Sequence, residues 1–210
     1  MTVRADYRLY LVTDRELSVG RDIEDVVLEA VRGGVTMVQL REKTLPTRPF
    51  VESARRLKAV LAPLGITLII NDRVDIALAS GADGVHIGQE DMPYLDARRL
   101  LGPEAIIGLS VENPEQAAEA EALDVDYLGV SPVFVTPTKS ELETQWGLEG
   151  LQQLRLKSQK TLVAIGGIGP RNAAGVLEAG ADGLAVVSAI CSAPDPRAAA
   201  ADLRRIIESN

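Results

Sequence analysis

Leu78-Ala79-Ser80-Gly81-Ala82-Asp83-Gly84-Val85 and Glu178-Ala179-Gly180-Ala181-Asp182-Gly183-Leu184 are nearly the same phrase, written twice in one chain. Ala30-Val31-Arg32-Gly33-Gly34-Val35-Thr36-Met37-Val38 is a third version, and Ala122-Leu123-Asp124-Val125-Asp126-Tyr127-Leu128 a looser fourth. In each, a helical pattern ends, a Gly or Asp able to reach positive φ makes a turn, and a short apolar run begins. Outward from these copies, strand candidates recur at 8–12, 37–40, 67–70, 84–87, 106–109, 127–130, 162–165 and 183–187. All are short, almost unbroken Val/Ile/Leu runs, the pattern of parallel strands buried on both faces. Helical stretches such as 22–32, 48–61, 114–123 and 148–156 lie between them. This alternation leaves two α/β architectures, a (β/α)₈ barrel and a doubly wound sheet. The copies fall on the even-numbered strands, as repeated βαβα units would, which favours the barrel. No Pro/Ser-rich linker interrupts the pattern, so residues 1–210 are expected to form one domain.

With 46% hydrophobic and 25% charged residues, the chain has the composition of a globular domain able to bury one core. Its net charge of −8 argues against non-specific nucleic-acid binding, which needs a basic surface. An anionic ligand must then be captured by a local site rather than by the overall field. No apolar run approaches the roughly 20 residues that span a bilayer. The N-terminus leads straight into a strand candidate without a signal-peptide pattern. The single cysteine, Cys191, excludes an internal disulfide and fits a reducing cytoplasm. The expectation is a cytoplasmic protein acting on small molecules, without a nucleic-acid or membrane partner. A homo-oligomer is compatible with the sequence.

Candidate chemistry gathers where strands end. Asn71-Asp72 follows one strand candidate and Gly88-Gln89-Glu90-Asp91 the next. Acids at the ends of adjacent barrel strands sit where such folds keep their chemistry, and two carboxylates suffice to hold one Mg²⁺. Each acid taken alone also reads as a helix N-cap, Asp72 before Arg73 and Asp91 before Met92-Pro93. The run Gln39-Leu40-Arg41-Glu42-Lys43 puts Gln39, Arg41 and Lys43 on one parity at a strand exit, a fork and a point charge for phosphate or simply a solvated basic end. Ser110 closes the fifth strand and offers a hydroxyl, while Asn113 is better placed to cap the next helix. The 131–141 stretch contains Thr136, Pro137, Thr138 and Lys139 and lacks helical periodicity, so it reads as a functional loop. Gly166-Gly167-Ile168-Gly169 and Val187-Ser188 follow the last two strands, the frequent phosphate position of this fold. His86, the sole histidine, stands between Val85 and Ile87 and reads as a core residue rather than a general base. Cys191 reads as a buried small residue, and Phe134 and Trp146 as anchors flanking the loop.

Taken together, these segments resemble the thiamin-phosphate synthase family. The matching stretches are Tyr10 to Asp14, Gln39 to Lys43, Asn71-Asp72-Arg73, Gly81 to Asp91, Gly108-Leu109-Ser110, Pro132 to Lys139, Ala164 to Ile168 and Val187 to Ile190. The resemblance implies a phosphate-binding (β/α)₈ TIM barrel and a transferase that joins two halves of thiamin. One substrate would be 4-amino-2-methyl-5-(hydroxymethyl)pyrimidine diphosphate. The other would be 4-methyl-5-(2-hydroxyethyl)thiazole phosphate or its carboxylated form. By the resemblance, Gln39, Leu40, Arg41, Glu42, Lys43, Asn71, Ser110 and Lys139 hold the pyrimidine diphosphate, with Arg41, Lys43, Ser110 and Lys139 catalytic. Asp72 and Asp91 would bind Mg²⁺. Thr136, Pro137, Thr138, Gly167, Val187 and Ser188 would hold the thiazole phosphate. The 135–145 segment would act as a lid. Competing readings are a thiazole tautomerase, which needs neither the acids nor the diphosphate cradle, and a non-catalytic thiamin-phosphate-binding protein.

Overall fold

Each apolar run lies beside the next in chain order, parallel, until the last pairs with the first and closes the sheet. The computed structural model describes residues 5–135 and 145–210. The staves are β1 (Leu9–Val12), β2 (Met37–Leu40), β3 (Thr67–Asn71), β4 (Gly84–Ile87), β5 (Ile106–Val111), β6 (Tyr127–Val130), β7 (Leu162–Ile165) and β8 (Gly183–Val186). Among the described residues the helices are α1 (Ile23–Arg32), α2 (Thr47–Leu61), α3 (Val74–Ser80), α4 (Tyr94–Leu101), α5 (Pro114–Glu121), α6 (Gly147–Lys157), α7 (Ala173–Glu178), α8 (Ser188–Cys191) and α9 (Pro196–Glu208). This is the (β/α)₈ barrel that the repeat favours.

Strand parity divides the apolar residues into two cores. Tyr10, Val12, Met37, Ile69, Tyr127, Val163 and Ala185 point inward and fill the lower barrel. Leu9, Leu11, Val38, Leu40, Leu68 and Ile70 point outward and meet the amphipathic faces of the helices. Both faces of each strand are therefore buried, which is why the runs show no polar alternation.

The repeated phrase has a structural purpose at the bottom of the barrel. Gly81 and Gly180 adopt φ of 70° and 103° and turn the chain from helix into strand. The residue just before each even strand then reaches the first or second amide of the odd strand preceding it. Asp83 accepts from Leu68 N, Asp126 from Ile107 N and Asp182 from Leu162 N, each at 2.8 Å. Thr36 Oγ1 does the same for Leu9 N at 3.1 Å. The carboxylates are themselves paired, with Lys58, Arg98 and Arg155 respectively. Four copies of one hydrogen bond thus set the register of neighbouring strands, and the repeat is the sequence trace of that device.

Candidate active site

The C-terminal ends of the strands surround a cavity of about 830 Å³. At its β2 edge, Gln39, Arg41 and Lys43 line the cavity, as their common parity requires. Leu40 turns into the outer core and Glu42 pairs with Arg15 at 2.5 Å, its side chain only 3% exposed. These two expected substrate contacts therefore keep their side chains elsewhere, and only their backbone remains to meet a ligand. The β1 exit braces this edge: Thr13 Oγ1 accepts from Arg41 N at 3.0 Å, and Asp14 Oδ2 accepts from Arg41 Nη1 at 3.1 Å. Arg41 is held by its backbone and its guanidinium before any ligand arrives.

β3 runs through Asn71 and β5 through Val111, so Asn71 and Ser110 belong to strands rather than loops. Both face the cavity. Asp72 follows with φ of 63°, a left-handed conformation unusual for a residue with a side chain, held by its N–H donating to His86 O at 2.8 Å. Neither acid caps a helix. The N-cap of α3 is Arg73 and that of α4 is Pro93, both without a side-chain capping bond. Asp72 instead faces Lys43 Nζ at 2.6 Å, and Asp91 Oδ2 accepts from Gly88 N at 2.7 Å. Burial raises the Asp91 carboxyl above its ordinary value, and the adjacent Asp72 carboxylate raises it further against the lowering bond from Gly88. Two neighbouring hard-oxygen donors, with Lys43 beside Asp72, suit a divalent cation. Among the described residues no third acid, histidine or cysteine joins them. Two carboxylates with the remaining positions open fit Mg²⁺, which keeps waters and phosphate oxygens, better than an all-protein Ca²⁺ cage.

The opposite wall comes from the last two strands. Gly166 and Gly167 adopt φ of 107° and 64°. A Cβ on either would lie within 3 Å of Pro132 or Phe134, so both glycines are needed on two counts. Asn172 locks this turn, donating to Gly167 O and accepting from Gly169 N, both at 2.9 Å. Gly167, Val187 and Ser188 all line the cavity. Thr136, Pro137, Thr138 and Lys139, and with them most of the expected lid, lie outside the described residues. Trp146, beyond that segment, donates through Nε1 to Val111 O at 3.2 Å and packs against the outer core, as an anchor would. Asn113 caps α5 by accepting from Gln116 N, and Cys191 is buried.

The floor of the cavity joins Gln39 and Ser110 to His86, read from the sequence as a core residue, and to two tyrosines that were given no role there. His86 points into the barrel, with Nδ1 2.9 Å from Tyr127 Oη and Nε2 2.8 Å from Ser110 Oγ. Tyr127 Oη is 2.9 Å from Tyr10 Oη, to which Gln39 Nε2 donates at 2.9 Å. Burial pushes both phenols above their usual range, so they stay protonated. The signal was parity: Gln39, His86, Ser110 and the two tyrosines all occupy inward strand positions. A polar inward residue near a strand's C-terminal end is a site candidate, whereas His86 was read by its apolar sequence neighbours.

Comparison with known proteins agrees with this architecture. The family described as Thiamine monophosphate synthase matches residues 9–190. The chain is 60% identical over 202 residues to the thiamine-phosphate synthase of Albidiferax ferrireducens, covering 96% of this chain and 92% of that relative. It is 53% identical to that of Syntrophomonas wolfei, covering 99% and 100% of the two chains. Among solved structures, thiamine phosphate pyrophosphorylase from Pyrococcus furiosus superposes with a TM-score of 0.90 at 42% identity, covering 99% of this chain and 98% of that one.

Proposed function

The chain belongs to the thiamine monophosphate synthase family, and from that premise we propose how its cavity carries out the synthase reaction. It is a transferase acting on small molecules, and among its described residues no helix is long and apolar enough to cross a membrane. The substrates are the pyrimidine diphosphate and the thiazole phosphate, or the carboxylate of the latter. The bond from the pyrimidine methylene to the diphosphate oxygen breaks, its electron pair leaves with pyrophosphate, and the thiazole nitrogen supplies the pair for the new C–N bond. The electron-rich aminopyrimidine stabilises positive charge on that methylene, so the demand on the protein lies at the leaving oxygens.

Arg41 and Lys43 meet that demand as cations positioned in advance, Arg41 by Thr13 and Asp14, Lys43 by Asp72. Asn71 and Ser110 add polar contacts from the strands, and Lys139 adds a charge on the sequence argument alone. Asp72 and Asp91 would hold Mg²⁺, which would supply positive charge beside the leaving pyrophosphate oxygens. Gly167, Val187 and Ser188 take the thiazole phosphate from the far wall. The observation that carries this reading is the shared cavity: cationic and acidic groups from β2 to β5 face a glycine turn from β7 and β8 across one mouth. A tautomerase has no use for that cradle.

The test is turnover of both substrates with Mg²⁺, read by pyrophosphate release and by fluorescence of the oxidised product. Equimolar release and product formation are expected. Product binding without pyrophosphate release would leave a binding protein, and a proton shift on the thiazole phosphate alone would leave a tautomerase.

A further inference from the structure

The five groups on the cavity floor form one unbroken hydrogen-bonded line from Gln39 through Tyr10, Tyr127 and His86 to Ser110. From this line we infer that His86 and Tyr127 are positioning residues, which fix the imidazole as its Nε2–H tautomer and make the Ser110 hydroxyl a donor to the bound ligand. The inference rests on reading the cavity as the pyrimidine-diphosphate site for its functional part, but its structural part does not.

The direction of the line follows from counting protons. Gln39 donates its amide N–H to Tyr10, so the Tyr10 oxygen is already an acceptor there. Tyr10 is 1% exposed, and among the described residues the acceptor its own O–H reaches is Tyr127 Oη. A buried hydroxyl without an acceptor costs about 1–3 kcal/mol, so the Tyr10 proton points to Tyr127. Tyr127 must then spend its proton on His86 Nδ1. A neutral imidazole that accepts at Nδ1 carries its proton on Nε2, and that proton faces Ser110 Oγ. The serine oxygen accepts, and its own hydrogen is left for the cavity it lines.

The rings are seated by reserved space. A Cβ on Gly108 would fall 2.1 Å from Tyr127 Cζ, and one on Gly129 would fall 2.8 Å from His86 Cε1. Neither glycine has a positive φ, so their role is to admit the two rings. Tyr127 also stacks on His86, with centroids 5.4 Å apart and planes inclined by 23°. Reversing the line would require the Gln39 amide to turn over and would spend the Ser110 proton on His86, leaving the serine nothing to donate.

Because His86 is the only histidine, nitrogen-15 histidine labelling gives a single pair of side-chain signals. In the ligand-free protein at neutral pH, Nε2 is expected to carry the proton and Nδ1 to resonate as an unprotonated, hydrogen-bonded nitrogen. Proton on Nδ1, on both nitrogens or exchanging between them would overturn the inference, whatever the fate of the proposed reaction. Function is tested by a cycle of Tyr127→Phe and Ser110→Ala. Tyr127→Phe alone should lower kcat about threefold to tenfold, with KM for the thiazole phosphate unchanged. In the Ser110→Ala background it should cost less than about twofold more, since Tyr127 acts through the serine. Losses that multiply would show that Tyr127 acts independently and would overturn the positioning role.

Discussion

Gly129→Ala probes the site through the space that the His86 ring occupies beside this glycine. The added Cβ would sit 2.8 Å from His86 Cε1 and 3.3 Å from Nε2. To reach ordinary contact at 3.4 Å the imidazole must retreat by about 0.6 Å. Ser110 is the register partner of Gly129 across β5 and β6, so a retreat from one is a retreat from the other. With the ring moving as a rigid unit, the His86–Ser110 bond, 2.8 Å at rest, lengthens by up to that 0.6 Å, to about 3.4 Å, beyond the ordinary hydrogen-bond range. Losing its net worth of about 0.5–1.5 kcal/mol lowers kcat by roughly 2- to 13-fold. Overpacking of this kind costs about 1–3 kcal/mol of stability, or roughly 2–12 °C in Tm for a chain of this size. The assay is steady-state turnover well below the variant's Tm, beside the histidine spectrum of the same sample. Wild-type kcat with unmoved His86 signals would refute the reasoning, because the contact that should displace the ring would have displaced nothing.

Three further expectations follow from other parts of the molecule. Asp91→Ala should lose most of its activity and its Mg²⁺ dependence while circular dichroism and Tm stay near wild type; unchanged Mg²⁺ activation would remove Asp91 from the metal site. Arg41→Ala should lower kcat/KM by roughly 10- to 150-fold, the worth of charge-assisted contacts of about 1.5–3 kcal/mol, and Asp14→Asn should lower it less, since an amide oxygen can still accept from the guanidinium. A larger loss in Asp14→Asn than in Arg41→Ala would reverse those roles. Asp126→Ala strands the buried N–H of Ile107 and should destabilise by about 1–3 kcal/mol in urea unfolding, whereas Asp126→Asn, which keeps an acceptor, should cost less; equal losses would mean that charge, not the amide bond, matters there.

What could be read in the chain beforehand was whatever leaves a periodic or local trace. The barrel was legible because buried parallel strands are apolar on both faces and because the register-setting Asp recurs before even strands. Asp83 and Asp182 looked like turn residues, and their reach to Leu68 and Leu162 became visible only with the strands side by side. Gln39, Arg41 and Lys43 were placed by parity, and parity also explains why Leu40 leaves the cavity. The acids were ambiguous between cap and ligand because both uses put an Asp after a strand. The positive φ of Asp72 and the missing capping bonds, neither with a local sequence signature, decide against the caps. His86 was read as a core residue, and Tyr10 and Tyr127 were given no role in the site, because a polar group inside a barrel looks, along the chain, like a polar interruption of a hydrophobic strand. Their link to Ser110 is a contact between residues far apart in sequence, and no local pattern records it.

The most direct measurement is a crystal structure with thiamin phosphate, pyrophosphate and Mn²⁺ in place of Mg²⁺, the metal located by its anomalous signal. The account predicts one Mn²⁺ bound to Asp72 and Asp91, pyrophosphate against Arg41 and Lys43, and the product's phosphate at Gly167, Val187 and Ser188. Pyrophosphate bound at the β7–β8 turn, or metal bound away from both aspartates, would contradict it.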